Sequence, residues 1–188
     1  MIERPRCSWA GDDPLMRAYH DREWGVPLRD SRRLWEMLML EGFQAGLSWS
    51  IVLRKRPALR TAFAGFAPAK VARFTATDVA RLMADEGIIR ARAKIRATIR
   101  GAQVFLEMQQ AGERFGDFCW SFTGGKVLGG NGRTHVTSTP LSEQISQELR
   151  RRGFRFVGPT IVYAWMQAVG IVNDHSSGCF RRAEVRQP

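Results

Sequence analysis

Glu41 stands where a carboxylate needs a chemical reason. Asp30 or Ser31 can cap a helix start, and Leu34, Leu38 and Glu41 then fall at i, i+4 and i+7, which puts the glutamate on the apolar face. A carboxylate aimed at a core must find donors or remain costly. With Gly42 and Gly46 after it and Trp49 just beyond, Glu41 is a candidate to hold a polar or cationic ligand in an aromatic pocket. The structural alternative is a carboxylate bonded to nearby backbone N–H groups or to an arginine.

A second set consists of Cys7 and His20 near one end and His175 and Cys179 near the other. Two thiolates and two imidazoles make up a tetrahedral zinc set, and the H-x3-C spacing lets His175 and Cys179 reach one ion. Cys7 and His20 are separated by twelve residues, so this is no compact finger, and four unrelated residues are the alternative. Four protein ligands leave no position open for water, so such a metal would fasten the termini rather than activate a nucleophile. His135 is the remaining histidine, in a loop. The neighbours His20-Asp21 and Asp174-His175 make poor triad fragments, because adjacent residues seldom face each other and no serine stands in G-x-S-x-G.

The third feature is a basic hairpin. Residues 78–84 read as a helix capped by Thr77, residues 85–89 break it at Gly87, and residues 90–110 resume it with Ile95, Ile99, Val104, Phe105 and Met108 inward. Gly87 can give the turn a positive φ, and the first N–H groups of the second helix carry a partial positive charge. That suits a phosphate, with Arg90, Arg92, Lys94 and Arg96 as further donors. A solvated basic face between two ordinary helices fits the same pattern.

The elements that must position these groups are helical. The segment before Asp30 reads as irregular, with Cys7, Trp9, Tyr19, His20 and Trp24 among prolines and glycines. The helix ending near Glu41 turns at residues 42–46, helix resumes at 47–56 until Pro57, and a short helix follows at 58–64. Residues 115–122 form a core helix around Cys119. Residues 123–133 hold five glycines with neither the Walker nor the dinucleotide pattern. Thr139 and Pro140 open a helix ending at the basic run before Gly153, and Pro159 opens a buried helix with Ile161, Trp165 and Val169 on one face. No strand, repeat or domain boundary is visible. The expectation is an all-α chain, one domain over residues 1–188.

The net charge of +11 and pI near 10.9 favour a polyanionic partner, nucleic acid ahead of an acidic membrane surface. Only Lys55, Lys70, Lys94 and Lys126 of the 29 basic residues are lysines, so gene composition explains part of the arginine excess. The odd cysteine count and a start without an apolar signal core point to a reducing cytoplasm, and no apolar run is long enough to span a bilayer.

Four separated motifs carry a resemblance over nearly the whole chain. Residues 18–27 (AYHDREWGVP), 40–49 (LEGFQAGLSW), 87–90 (GIIR) and 153–160 (GFRFVGPT), followed by VNDH at 172–175, closely resemble the 3-methyladenine DNA glycosylase I family. The resemblance implies a helix-hairpin-helix DNA glycosylase of two closely packed helical lobes, with a structural zinc at Cys7, His20, His175 and Cys179. It implies that Glu41 accepts hydrogen bonds from the alkylated adenine while Tyr19 and Trp49 stack on it, with Trp24 and Trp9 lining the same pocket. Carboxylate and π faces together select a cationic purine. Gly87, Ile89, Arg90 and Lys94 would hold the DNA backbone, and Gln44 and Leu47 would fill the gap left when the target base leaves the stack. A monomer acting on double-stranded DNA that contains alkylated adenine, and releasing free 3-methyladenine, is the implied arrangement.

The resemblance also accounts for the sparse catalytic machinery. Most helix-hairpin-helix glycosylases carry an aspartate a little over twenty residues beyond the hairpin glycine, and this chain has none between Arg90 and Phe115. A methyl group on N3 already makes the base positive, so the glycosidic bond breaks without one. Relatives that also cleave the strand place a lysine where Ala91 stands, so base removal without lyase activity is expected. Two positions depart from the family: Met16 replaces an aromatic in the pocket, and Ala93 replaces a glycine after the hairpin. Against this enzyme stand a non-catalytic DNA or modified-base binding protein with the same zinc-fastened fold, to which Met16 leans, and a general RNA-binding module. The last has only the charge in its favour, since the aromatics occupy pocket or core positions rather than an exposed platform.

Overall fold

The computed structural model describes residues 4–132 and 136–185, and His135 lies outside them. Among the described residues there are ten α-helices and one pair of two-residue strands. In order they are α1 (Pro14–Arg22), α2 (Ser31–Gln44), α3 (Trp49–Ala62), α4 (Pro68–Val71), α5 (Ala76–Ala84), α6 (Arg92–Gln110), α7 (Phe115–Ser121), β1 (Leu128–Gly129), α8 (Pro140–Arg151), α9 (Pro159–Ala168), β2 (Val172–Asn173) and α10 (Arg181–Glu184). No helix of the described residues is long and apolar enough to cross a membrane.

The centre is α2. Every residue from Leu34 to Phe43 is buried, because the helix is apolar nearly all round and α3, α6, α7 and α9 pack against it. Asp30 starts it by accepting from the Arg33 N–H at 2.8 Å, and the Trp165 indole of α9 donates to the Leu34 carbonyl at 3.0 Å. Residues on this helix are therefore held on several sides, which makes it a rigid platform for Glu41.

Several local expectations are corrected. The N-terminal segment is not irregular throughout: Asp13 accepts from the N–H groups of Leu15 and Met16, Pro14 occupies the first turn, and α1 follows. Pro57 does not end a helix. It stands inside α3, where tertiary anchors flank it: Arg56 grips Glu23 at 2.6 and 2.7 Å, and Lys55 Nζ donates to the carbonyls of Glu86 and Gly87 at 2.9 and 3.0 Å. Thr75 rather than Thr77 caps α5, in a reciprocal box with Asp78, and α6 begins at Arg92 rather than Arg90. Short strands exist after all, Leu128 pairing with Val172 and Gly129 with Asn173 in parallel, which docks the glycine-rich segment beside the C-terminal segment.

Candidate functional site

A cavity of about 350 Å3 opens between α1, α2, the start of α3 and the C-terminal segment. It gathers all the residues expected around a base: Met16 and Tyr19 from α1, Glu41 and Gln44 from α2, Trp49 at the first position of α3, and Trp9 and Trp24 from the flanking turns. The Tyr19 and Trp49 ring centres are 5.2 Å apart and tilted by 42°, and Trp9 meets Trp24 edge-on at 5.0 Å. The aromatic frame is thus continuous, with Met16 the flexible member.

Glu41 is 3% exposed, and burial pushes its carboxyl up to about 8. Its Oε2, the Tyr19 hydroxyl and the Trp49 indole N–H are buried without a hydrogen-bond partner among the described residues. Three orphaned polar atoms on side chains of one cavity are costly in isolation, and they form a donor-and-acceptor set for a polar ligand. The same helix shows the structural alternative beside it: buried Glu36 meets Arg60 Nε at 2.6 Å. Glu41 has no such arginine among the described residues. Burial, then the nearby Glu41, raise Tyr19 well above the usual phenol range, so it stands as a neutral hydroxyl.

The cysteines and histidines do come together. Cys7 Sγ lies 3.5 Å from His175 Nδ1, and Cys179 Sγ lies 3.4 Å from His20 Nε2 and 3.5 Å from His175 Nδ1. All four ligand atoms fall within 4.8 Å of one another, and all four residues are buried. A tetrahedral ion with thiolate bonds of about 2.3 Å and imidazole bonds of about 2.0 Å separates sulfur from nitrogen by about 3.5 Å. The spacing therefore fits a metal.

The surroundings of the cluster fit as well. His20 Nδ1 faces Asp21 Oδ1 at 2.8 Å, and Asp21 is held in turn by Arg6; His175 Nε2 faces the Trp24 carbonyl at 3.2 Å. The Ser176 N–H donates to Cys7 Sγ at 3.3 Å. Gly25, at φ +78°, passes so close that a Cβ there would stand 2.7 Å from His175 Nε2, so this turn requires glycine. Burial lowers both histidines, His175 to about 4, which leaves neutral imidazoles suited to ligation.

The hairpin residues are distributed differently from expectation. Gly87 does not take a positive φ; its N–H donates to Asp85 Oδ1 at 2.8 Å, and a Cβ there would stand 3.0 Å from that oxygen and 3.4 Å from the Ala58 Cβ. Ile89 is half-buried, Arg90 is exposed with a 3.5 Å contact to Glu86, and among the described residues no side chain caps the N-terminus of α6. Lys94 Nζ donates to the carbonyls of Phe43 at 2.8 Å and Ala45 at 2.5 Å, at the C-terminus of α2. Gln44 lines the cavity, and Leu47 on the following turn is 38% exposed.

Sequence reasoning did not find the far wall, formed by Val136, Ala164, Gln167 and Asp174. Asp174 is not a catalytic partner of His175: it accepts from the Gly132 N–H at 2.7 Å, Tyr163 Oη at 3.0 Å and Gln167 Nε2 at 2.7 Å. Tyr163 and Gln167, at i and i+4 on one face of α9, both donate to Asp174, a link the sequence does not show.

Known proteins match this arrangement over most of its length. The model of the methyladenine glycosylase family covers residues 9–182. DNA-3-methyladenine glycosylase 1 of Escherichia coli (strain K12) is 52% identical over 177 residues, 93% of this chain and 95% of that protein. A crystal structure of 3-methyladenine DNA glycosylase I superposes with a TM-score of 0.91 at 51% identity, covering 94% of this chain and 98% of the other. A variant of such an enzyme in complex with 3-methyladenine gives 0.90 at 36% identity, covering 94% and 97%. Fold, cavity and sequence agree, and the chain belongs to the methyladenine glycosylase family.

Proposed function

We propose that the protein is a single-domain, monomeric DNA glycosylase that hydrolyses the N-glycosidic bond of 3-methyladenine in alkylated duplex DNA. The observation that carries this reading is the buried Glu41, with an orphaned oxygen, in a cavity framed by Tyr19, Trp49, Trp24, Trp9 and Met16. Flipped into this cavity, the methylated base brings a positive charge between aromatic faces and amino donors to the carboxylate. The cation favours release of the Glu41 proton and an ion pair with the carboxylate, which a neutral adenine cannot form.

Chemistry follows from the charge of the base. As the C1′–N9 bond breaks, its electron pair goes to the ring and neutralises it, so no side chain must protonate the leaving group. Water adds to C1′ and loses a proton, leaving free 3-methyladenine and an abasic site. Ala91, at the lysine position of strand-cleaving relatives, supports base removal without lyase chemistry. Gly87, Ile89, Arg90 and the uncapped start of α6 would take a phosphate, and Gln44 and Leu47 would occupy the vacated stack; the absence of a side-chain cap on α6 and the exposure of Leu47 support this reading. Zinc at Cys7, His20, His175 and Cys179 would fasten the termini behind the cavity wall; the two-thiolate, two-imidazole donor set favours it.

The test is chromatographic. Methylated duplex DNA incubated with the protein releases 3-methyladenine but not 7-methylguanine, and Glu41→Gln releases much less while keeping its fold and its affinity for abasic duplex. Intact, abasic-DNA-binding protein that releases no base would favour the non-catalytic reading.

A further inference from the structure

Phe156 is displayed at some cost. It is 38% exposed and sits at φ +55°, a left-handed conformation that a bulky residue keeps only when its neighbours enforce it. They do. Phe154 and Val157 are each 1% exposed, the Phe154 N–H donates to the Leu149 carbonyl at 3.0 Å, and Ser146 Oγ donates to the Val157 carbonyl at 2.6 Å. Behind the ring, Gly42 of α2 leaves room: a Cβ there would stand 3.4 Å from the Phe156 Cβ.

The surface around it is basic. Arg96, Arg100 and Arg155 border the ring in a shallow depression of about 410 Å3 with Ala93 and Ala97. Arg100 is engaged by Glu107 at 2.7 Å, but Arg96 and Arg155 have no carboxylate partner among the described residues. Residues 87–106 and 149–173 contain no aspartate or glutamate, and the fold sets these two acid-free stretches side by side. The patch also continues the surface assigned above to DNA. Phe156 shares a small cleft with Phe43 and Lys94, next to Gln44, and Ala93 lies in the first turn of α6.

We infer that Arg96, Arg155 and Phe156 form a second contact to the sugar–phosphate backbone of the bound duplex, beyond the hairpin. The two guanidinium groups take successive phosphates and the ring packs on the deoxyribose between them, a contact indifferent to sequence, as a search for rare damage requires. A second copy of the chain is disfavoured as occupant, since it presents the same uncompensated arginines.

This inference rests on the glycosylase reading, and the experiment separates the two. The full chain is titrated with duplex carrying a tetrahydrofuran abasic analogue over a range of salt concentrations, and with free 3-methyladenine by tryptophan fluorescence. The double variant Arg96→Ala, Arg155→Ala is expected to lower the slope of log affinity against log salt by about 2. Phe156→Ala is expected to weaken duplex binding roughly five- to tenfold at unchanged slope. Both variants should bind the free base as the parent does. A parental slope in the double variant overturns the second contact alone; a parent chain that binds free base but no duplex overturns the DNA reading and this contact together.

Discussion

Cys7, Trp24 and Ser176 belong to two regions at once, lining the cavity on one side and touching the Cys/His cluster on the other. In the cluster, polar atoms are anchored outward as well as inward: His20 to Asp21, His175 to the Trp24 carbonyl, Cys7 to the Ser176 N–H. Across the shared wall, Glu41 Oε2, the Tyr19 hydroxyl and the Trp49 indole N–H have no partner among the described residues. Orientation by outer hydrogen bonds is what a permanent ligand needs, because it holds the donor atoms in place between binding events. Orphaned donors and acceptors suit a transient ligand, because their desolvation has already been incurred when it arrives. The comparison therefore separates a part built to stay closed from a part built to be filled and emptied.

The sharpest break is removal of the metal. If the cluster is permanent, chelation or Cys179→Ser lowers thermal stability by several kcal/mol, about 10 °C or more in Tm, because a structural ion contributes its binding free energy to folding. Differential scanning calorimetry of metal-free against zinc-loaded protein checks this. Superimposable melting curves would mean the four residues are packed without a metal.

Glu41→Gln gives the next largest effect, opposite in sign. Burial holds the native carboxyl at about 8 against an ordinary 4.5, so the folded protein keeps a proton that the unfolded chain releases. Its contribution is fully present below pH 4.5 and is lost as pH rises towards 8. The glutamine amide does not titrate, so the variant gains on the parent across that window, by on the order of 5 kcal/mol at the alkaline end. Base release falls while stability rises. Urea midpoints at pH 5 and pH 8.5 read the difference; equal midpoints at both would show that Glu41 is already ionised and paired in the empty protein.

The two regions were not equally legible in the sequence. Glu41 showed itself because a charged residue broke an apolar helical period, and the Cys/His cluster because two thiols and two imidazoles are a known metal-binding set; the cluster's proximity is what the fold supplies. What escaped depended on tertiary contact. Asp13 and Pro14 start α1, yet the surrounding glycines and aromatics masked a helix of nine residues. Pro57 is tolerated because Arg56 and Lys55 are anchored by distant partners, and Asp174 acquired its role from a strand pairing of only two residues. Lys94 reads as a phosphate ligand from its basic neighbours, and its contacts with carbonyls about fifty positions earlier could not be seen in the sequence.

A smaller effect probes the outer anchoring of the cluster. Asp21 stands beside His20, its carboxyl lowered by Arg6 and accepting from the imidazole, the contact that would orient His20 as a metal ligand. Asp21→Asn keeps the shape but weakens the hold on the imidazole, so zinc affinity drops about 10- to 100-fold with little change in the melting curve at saturating metal. Competition with a chromophoric chelator measures it. Unaltered affinity would place the orientation of His20 in the burial of its ring rather than in its carboxylate partner.

The smallest effect tests whether the rigid platform under the cavity is also electrostatic. Lys94 donates to the carbonyls of Phe43 and Ala45, the last acceptors of α2, and desolvation lowers its pKa. Replacing it with methionine keeps much of the aliphatic stem and removes the charge, leaving two carbonyls unmet; a loss of about 1 kcal/mol is expected. If Lys94 acts only on the helix end, the salt slope for duplex binding stays at the parental value while urea stability falls. A slope reduced by about 1 with stability intact would instead make it a phosphate ligand that swings out when DNA binds. The carbonyl bonds favour the first outcome, since a lysine that leaves them exposes the end of the helix that carries Glu41, and the cavity would loosen as the base arrives.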